Sequence, residues 1–182
     1  MVYYSQGAGL FCTPNPNPQE PSAPKQPGPL VYNVRKRRRG PRTAGGVLEE
    51  LMGRQSILII DDDLVWHNLI GRFLAGTGYK VYAAATCADG VKQAALHKPD
   101  CIVLDFHLTD GDAVTVCSAL RSDDATKKIP VIISSSDPAA EIIAYAQCRA
   151  DNFLLKGEGS LDKLPAAIKG ILHPAFSVQS DG

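Results

Sequence analysis

Short apolar runs alternate with segments of helical periodicity between residues 56 and 172. The runs 57–60 and 101–104 are continuously apolar, as expected for strands that are buried on both faces. In residues 64–74 the apolar positions instead recur at the spacing of an amphipathic helix. The pattern predicts strands at 57–60, 79–83, 101–104, 130–133 and 152–155, and helices at 64–74, 86–97, 112–121, 138–147 and 160–172. Five such units predict an α/β fold, a doubly wound parallel sheet with helices on both faces.

The first 54 residues have a different composition. Eight of the thirteen prolines lie within residues 1–46, and proline supports neither helix nor sheet. The formal net charge is +5 over residues 1–54 and −5 over the rest of the chain. We expect a proline-rich, basic, disordered tail at 1–54, a folded domain at 55–174 and a short C-terminal tail at 175–182. Met52 leaves open a start of the natural chain just before the first strand.

Five consecutive basic residues, 35–39, together with Arg42 form the most positive segment of the chain. Coulomb attraction would let this segment bind nucleic acid, anionic lipid or an acidic protein. Aromatic residues that stack on bases are not interleaved with it, so we favour a solvated charged linker. Binding of nucleic acid through residues 35–42 stays an alternative.

The cysteine pattern and the hydropathy of the chain indicate the cellular compartment. Five cysteines are scattered without a CxxC pair, which is typical of reduced thiols rather than of a disulfide framework. The N-terminus lacks the pattern of a secretory signal, and no run approaches the ~18 apolar residues of a membrane span. We therefore expect a cytoplasmic protein without a membrane span.

Five polar residues follow the ends of predicted strands: Asp61, Asp62, Asp105, Ser135 and Lys156. Ligands of an open parallel sheet bind outside the strand carboxyl ends, and in the order 2-1-3-4-5 the first and third strands are neighbours. Asp105 should therefore meet Asp61 and Asp62. Adjacent carboxylates repel, which favours a bound cation, and Mg²⁺ prefers carboxylate and phosphate oxygens. A carboxylate at this place can also attack phosphorus, while Ser135 and Lys156 contact the phosphoryl oxygens.

The chain resembles a response-regulator receiver domain, the phosphoacceptor module of two-component signalling. The resemblance covers about residues 56–172 and rests on four motifs: ILIIDDD (57–63), PDCIVLDFHL (99–108), IPVIISS (129–135) and ADNFLLK (150–156). It implies a flavodoxin-like (βα)5 sheet ordered 2-1-3-4-5. It also implies that the phosphoryl group comes from a histidine kinase or a histidine phosphotransfer protein, and that the chain is a phosphoacceptor rather than an enzyme.

By this resemblance Asp105 is the phosphorylated aspartate. Asp61, Asp62 and the backbone carbonyl of His107 are then expected to bind Mg²⁺ together with it. The same resemblance makes Ser135 the switch hydroxyl and Phe153 the aromatic residue that rotates when this hydroxyl moves.

The lysine loop departs from the family pattern. By the resemblance Lys156 contacts the phosphoryl group, and the family usually has a proline after this lysine, often with a cis bond. Here Gly157 follows it. A cis bond before a residue other than proline costs about 2.5–4 kcal/mol, so we expect a trans bond and a more mobile loop.

We expect a stand-alone receiver, because no predicted effector domain follows the last helix. Its output would be phosphorylation-dependent contact with a target protein that the sequence does not identify. One alternative is a receiver whose basic tail binds nucleic acid. A second is a phosphohydrolase that uses Asp61 and Asp63 as a D-x-D pair, although we expect Asp63 to begin the following helix. The hydrolase needs a further acidic pair, for which only Asp151, Glu158 and Asp162 are available.

Overall fold

The computed structural model of the chain describes Val31 and residues 54–174. The basic run 35–42, Met52 and the C-terminal residues 175–182 lie outside the described residues. The boundaries of the three expected segments stay predictions.

Seven strands and five helices follow one another along this part of the chain. The strands are β1 (Ser56–Ile60), β2 (Lys80–Ala84), β3 (Cys101–Asp105), β4 (His107–Leu108), β5 (Gly111–Asp112), β6 (Val131–Ser135) and β7 (Asn152–Leu155). The helices are α1 (Leu64–Gly76), α2 (Cys87–His97), α3 (Ala113–Ser122), α4 (Ala140–Ala146) and α5 (Ser160–Leu172). Among these five helices, none has both the length and the apolar character that crossing a membrane requires.

Five of the strands form one parallel sheet in the order β2-β1-β3-β6-β7. Strands β4 and β5 form a separate antiparallel hairpin between β3 and α3. Without the hairpin, the order of the sheet is the predicted 2-1-3-4-5, so the predicted flavodoxin-like fold is confirmed. The carboxyl ends of β1 and β3 are neighbours at the point where the strand order reverses.

The apolar core lies on both faces of the sheet, because side chains alternate along each strand. Ile60, Leu104 and Ile133 pack in a cluster with α2, α3 and α4. The residues before them, Ile59, Val103 and Ile132, pack in a second cluster with α1 and α5. This two-sided burial explains the continuous apolar runs, since each fully buried side chain of this size contributes about 1.5–3 kcal/mol.

Polar side chains fix several helix starts. Asp63 precedes α1, as expected, and Thr86 precedes α2. Their side-chain oxygens accept hydrogen bonds from backbone N–H groups of the first helical turns. At the last helix Ser160 is not the cap. It is the first residue of α5, after Gly159, and its hydroxyl donates to the carbonyl of Gly157 at 2.7 Å.

The β4–β5 hairpin was not predicted. Asp110 lies in its turn and accepts hydrogen bonds from the N–H groups of Cys87 (2.7 Å) and Ala88 (3.3 Å) at the start of α2. The hairpin that follows the end of β3 is therefore fastened to a helix of the neighbouring unit. Strands of two residues carry too little alternation to be found from the sequence.

Candidate functional site

Three carboxylates converge at the carboxyl ends of the two neighbouring strands β1 and β3. Asp61 and Asp62 follow β1, and Asp105 is the last residue of β3. One carboxylate oxygen of each lies within 4.8 Å of those of the other two. Asp61 is only 2% exposed and Asp105 9% exposed, so the cluster is largely withdrawn from water.

Lys156, at the end of β7, reaches into this acidic cluster. Its Nζ lies 2.8 Å from Oδ2 of Asp61 and 2.9 Å from Oδ2 of Asp105. Oδ1 of Asp61 accepts a hydrogen bond from the backbone N–H of Asp63 at 2.9 Å. The ring centroid of Trp66, on α1, lies 5.8 Å from the same Nζ, within the range of a cation–π contact. One ammonium thus pairs with two of the three carboxylates.

The electrostatics of the cluster favour additional positive charge. Burial raises the pKa of Asp61, the charge of Asp105 raises it further, and Lys156 opposes both effects. Burial acts to lower the pKa of Lys156, but its hydrogen bonds to Asp61 and Asp105 outweigh burial and raise that pKa above its ordinary value. The lysine therefore stays charged, and the formal charge of the pocket is −2 with all three acids ionised.

This donor set fits a small divalent cation. Carboxylate oxygens are the hard ligands that Mg²⁺ takes, and each of the three residues offers one oxygen within 4.8 Å of the other two. Asp61, Asp62 and Asp105 make up the one such group of acidic, histidine or cysteine side chains found in residues 54–174. A bound divalent ion would neutralise the pocket and polarise the oxygens of a phosphoryl group.

Ser135 is the last residue of β6 and Phe153 lies in β7, the two strands that follow β3 in the order of the sheet. The Ser135 hydroxyl is buried and accepts a hydrogen bond from the N–H of Asp137 at 3.1 Å, while its carbonyl accepts one from the N–H of Lys156 at 2.7 Å. Phe153 is half-buried and packs against the core cluster on the α4 side. Phe153 is in register with Ile133, and Ser135 lies two residues after Ile133 on the same strand. Strand alternation therefore places Ser135 on the same side of the sheet as Phe153.

His107 lies in β4, two residues after Asp105, with an exposed side chain. Its ring meets the ring of Phe106 edge-on, with centroids 4.9 Å apart. The role of its backbone carbonyl as a metal ligand stays a prediction.

The peptide bond between Lys156 and Gly157 is trans, as predicted. None of the peptide bonds in the described residues is cis, and Gly157 has a φ of +157°. The greater mobility expected for this loop stays a prediction.

The acids that the hydrolase alternative requires lie elsewhere. Asp151 precedes β7, at the amino end of the sheet, and accepts a hydrogen bond from the N–H of Val131 at 2.8 Å. Glu158 and Asp162 are exposed. None of the three belongs to the group around Asp105.

The sequence reasoning missed two neighbours of the cluster. Trp66 lies against Lys156 because of how α1 docks on the sheet, and no local pattern marks it. Ser134 is in register with Asp105 on β6 and is buried. If the register of β3 with β6 had been known, alternation along β6 from Ile132 would have placed Ser134 on the same face of the sheet as Asp105.

A model of the response regulator receiver domain matches residues 57–169. The chain belongs to this family. The fold and the acidic pocket of the receiver thus agree with the resemblance found in its motifs, and receiver domains of this kind are signalling modules of two-component systems rather than enzymes of a metabolic reaction.

Relatives of this receiver include whole transcriptional regulators. It is 34% identical over 119 residues to the KDP operon transcriptional regulatory protein KdpE of Escherichia coli strain K12, a match that covers 65% of this chain and 51% of KdpE. It is 35% identical over 121 residues to the DNA-binding dual master transcriptional regulator RpaA of a Synechocystis strain, covering 64% and 48%. The chain spans about half the length of these curated relatives.

Solved structures agree on the fold. A putative response regulator from Chloroflexus aurantiacus superposes with a TM-score of 0.60 at 28% identity, covering 66% of this chain and 98% of that one. The receiver domain of the sensor histidine kinase PA1611 from Pseudomonas aeruginosa, solved with a magnesium ion in its active-site cleft, gives a TM-score of 0.59 at 21% identity, covering 66% and 98%.

Proposed function

We propose that this receiver accepts a phosphoryl group on Asp105. The observation that carries the proposal is the position of Asp105 between Lys156, 2.9 Å away, and the carboxylates of Asp61 and Asp62. An oxygen of Asp105 attacks the phosphorus of a phosphohistidine, the phosphorus–nitrogen bond breaks, and the imidazole leaves. The donor is a histidine kinase or a histidine phosphotransfer protein, the usual partners of receiver domains.

Mg²⁺ is the proposed cofactor, held by Asp61, Asp62 and Asp105 and by the backbone carbonyl of His107. The formal charge of −2 in the pocket supports this choice, as does the preference of Mg²⁺ for a few carboxylates combined with phosphate oxygens. The PA1611 receiver, which has the same fold, carries magnesium in its cleft.

Ser135 and Phe153 are proposed to carry the signal from the phosphoryl group to the surface. They lie on the α4 side of the sheet, where Ile142, Tyr145 and Leu155 are exposed apolar residues. When the Ser135 hydroxyl turns from the N–H of Asp137 to a phosphoryl oxygen, Phe153 gains space to follow it. Output is then a phosphorylation-dependent contact between this surface and a target protein.

Incubation with acetyl phosphate and Mg²⁺, followed by intact-mass measurement, tests the proposal. We expect a mass gain of one phosphoryl group that hydroxylamine removes and that EDTA prevents. Asp105→Asn should abolish the gain, whereas Asp124→Asn, a matched change at an exposed aspartate, should keep it. A gain that persists in Asp105→Asn, or no gain in the unaltered chain, would refute phosphoacceptance at this residue.

A further inference from the structure

Four polar residues at the strand ends share the face of the sheet that packs on α1 and α5. Each lies two residues after a core residue of that face, so strand alternation brings its side chain to the same side. The polar residues are Asp61, Asp105, Ser134 and Lys156, and the core residues that precede them are Ile59, Val103, Ile132 and Leu154. Asp61 and Asp105 belong to the acidic cluster, and Lys156 pairs with both of them. Ser134 is the fourth.

Ser134 lies between the two partners of an ion pair. Strand β6 separates β3 from β7, so the Lys156 side chain crosses the carboxyl end of β6 to reach Asp105. Ser134 is in register with Asp105 at that level. Paired residues of neighbouring strands lie about 5 Å apart, so Ser134 and Asp105 are neighbours on the same face of the sheet.

The hydroxyl of Ser134 has no hydrogen-bond partner among the described residues, although the residue is only 1% exposed. A buried hydroxyl without a partner is unfavourable, and folded proteins rarely keep one unless a ligand or water completes it. This group is a donor as well as an acceptor, so it suits a phosphoryl oxygen.

We propose that Ser134 is a phosphoryl-contacting residue, a second hydroxyl of the site that donates to the acyl phosphate of Asp105. The inference rests on the proposed function. With acetyl phosphate, an Asp105 oxygen bonds to phosphorus while the bond from phosphorus to the acetate oxygen breaks and acetate leaves. The phosphoryl oxygens then give the Ser134 hydroxyl an acceptor, which it lacks before phosphorylation. This hydrogen bond therefore forms during phosphoryl transfer.

Three consecutive serines allow a matched comparison. Ser134 is buried on the Asp105 side, Ser135 is buried on the α4 side with its hydroxyl at the N–H of Asp137, and Ser136 is exposed. Ser134→Ala and Ser136→Ala each remove one hydroxyl and change no charge.

The experiment measures the rate of Asp105 phosphorylation by acetyl phosphate with Mg²⁺, and the Tm, for the unaltered chain and both variants. We expect Ser134→Ala to lower the rate about tenfold, since a hydrogen bond made in the transition state is lost, and Ser136→Ala to leave it unchanged. The Tm of Ser134→Ala should be equal or higher, because an unsatisfied buried hydroxyl has been removed.

Each result has a separate meaning. An unchanged rate in Ser134→Ala beside a phosphorylated unaltered chain overturns the inference and leaves the proposed function intact. A slower rate together with a lower Tm assigns Ser134 a structural role and also overturns it. Failure of the unaltered chain to take up phosphate ends the proposed function, and with it this inference.

Discussion

The ammonium of Lys156 lies 2.9 Å from Oδ2 of Asp105, although β6 separates β3, which ends in Asp105, from β7, which Lys156 follows. The same ammonium lies 2.8 Å from Oδ2 of Asp61. Lys156 thus holds two acids of one pocket together, and Asp62 adds a third carboxylate that has no share in this pair of contacts. One lysine therefore does not neutralise the negative charge of the three ionised carboxylates, and this excess charge has measurable consequences.

Divalent cations should stabilise the folded chain. Binding to the native state alone raises stability by about 2.7 kcal/mol when the ligand is present at a hundred times its Kd. We expect Mg²⁺ to raise the Tm relative to EDTA, and Asp62→Asn to reduce this increase because one carboxylate ligand is lost. Thermal unfolding at increasing Mg²⁺ concentration measures the effect.

The neighbouring Asp63→Asn is the matched control for that titration. Asp63 caps α1 and is not in the acidic group, and asparagine caps a helix about as well as aspartate. Its Tm increase with Mg²⁺ should equal that of the unaltered chain. Equal loss of the increase in both variants would contradict a site that distinguishes Asp62 from Asp63.

Removal of the lysine charge should make the fold depend on the cation. Lys156→Met keeps most of the apolar stem but leaves Asp61 and Asp105 facing each other without an ammonium. We expect a loss of about 2 kcal/mol in EDTA, below the 3–5 kcal/mol of a fully buried pair because the lysine side chain is 15% exposed. Urea unfolding with and without Mg²⁺ checks this, and Mg²⁺ should restore part of the loss. Equal stability of both chains in EDTA would refute it.

Low pH should destabilise the N-terminus of α3, because it protonates the capping residue Asp112. Hydrogen bonds from the N–H and hydroxyl of Thr115 lower the pKa of Asp112 below its ordinary 3.8. An acid whose pKa is lower in the folded than in the unfolded chain adds stability above its unfolded pKa, and this stability is lost as the pH falls through the folded pKa.

Asp112→Asn keeps a capping oxygen but does not titrate. The stability of the unaltered chain over this variant should therefore be largest above about pH 4 and shrink at lower pH. Urea unfolding of both chains between neutral and acidic pH measures the difference. A difference that stays constant across this range would show that the Asp112 charge adds nothing.

The contact between α2 and β1 should not tolerate an added methyl group. A Cβ at Gly90 would lie 2.6 Å from Cδ1 and 2.9 Å from Cγ2 of Ile60, the fully buried residue before Asp61. We expect Gly90→Ala to lower the free energy of unfolding by about 1–3 kcal/mol through overpacking. Gly76→Ala is the control, because within the described residues no atom beyond its chain neighbours and its own helix backbone lies within 4 Å of its Cβ position. Chemical denaturation should separate the two variants, and similar values for both would contradict the packing argument.

The sheet was predictable because each buried strand is a continuous apolar run that ends in polar residues. The meeting of Asp61 and Asp105 followed from the strand order alone. The place of Ser134 on the same face as Asp105 did not follow, because a shift of one residue in a predicted strand moves every side chain to the opposite face. The register of β3 with β6, which pairs Ser134 with Asp105, becomes known only from the structure.

Other features depend on tertiary contacts that no local pattern encodes. Trp66 reads as an ordinary apolar position of α1, and its approach to Lys156 depends on how that helix docks. The hairpin is held by Asp110, which accepts hydrogen bonds from the N-terminus of α2. The donors, Cys87 and Ala88, lie 23 and 22 residues before it in the chain. Ser160 looks like a cap by composition, yet its hydroxyl turns back to Gly157.

Trp66 is the chain's single tryptophan, and its ring lies 5.8 Å from the Lys156 ammonium. Indole fluorescence responds to nearby charge, so the unlabelled protein carries its own optical probe at the rim of the pocket. Any event that draws the lysine away from the ring, or adds a cation beside it, should change the emission in real time and without contribution from a second fluorophore of this kind.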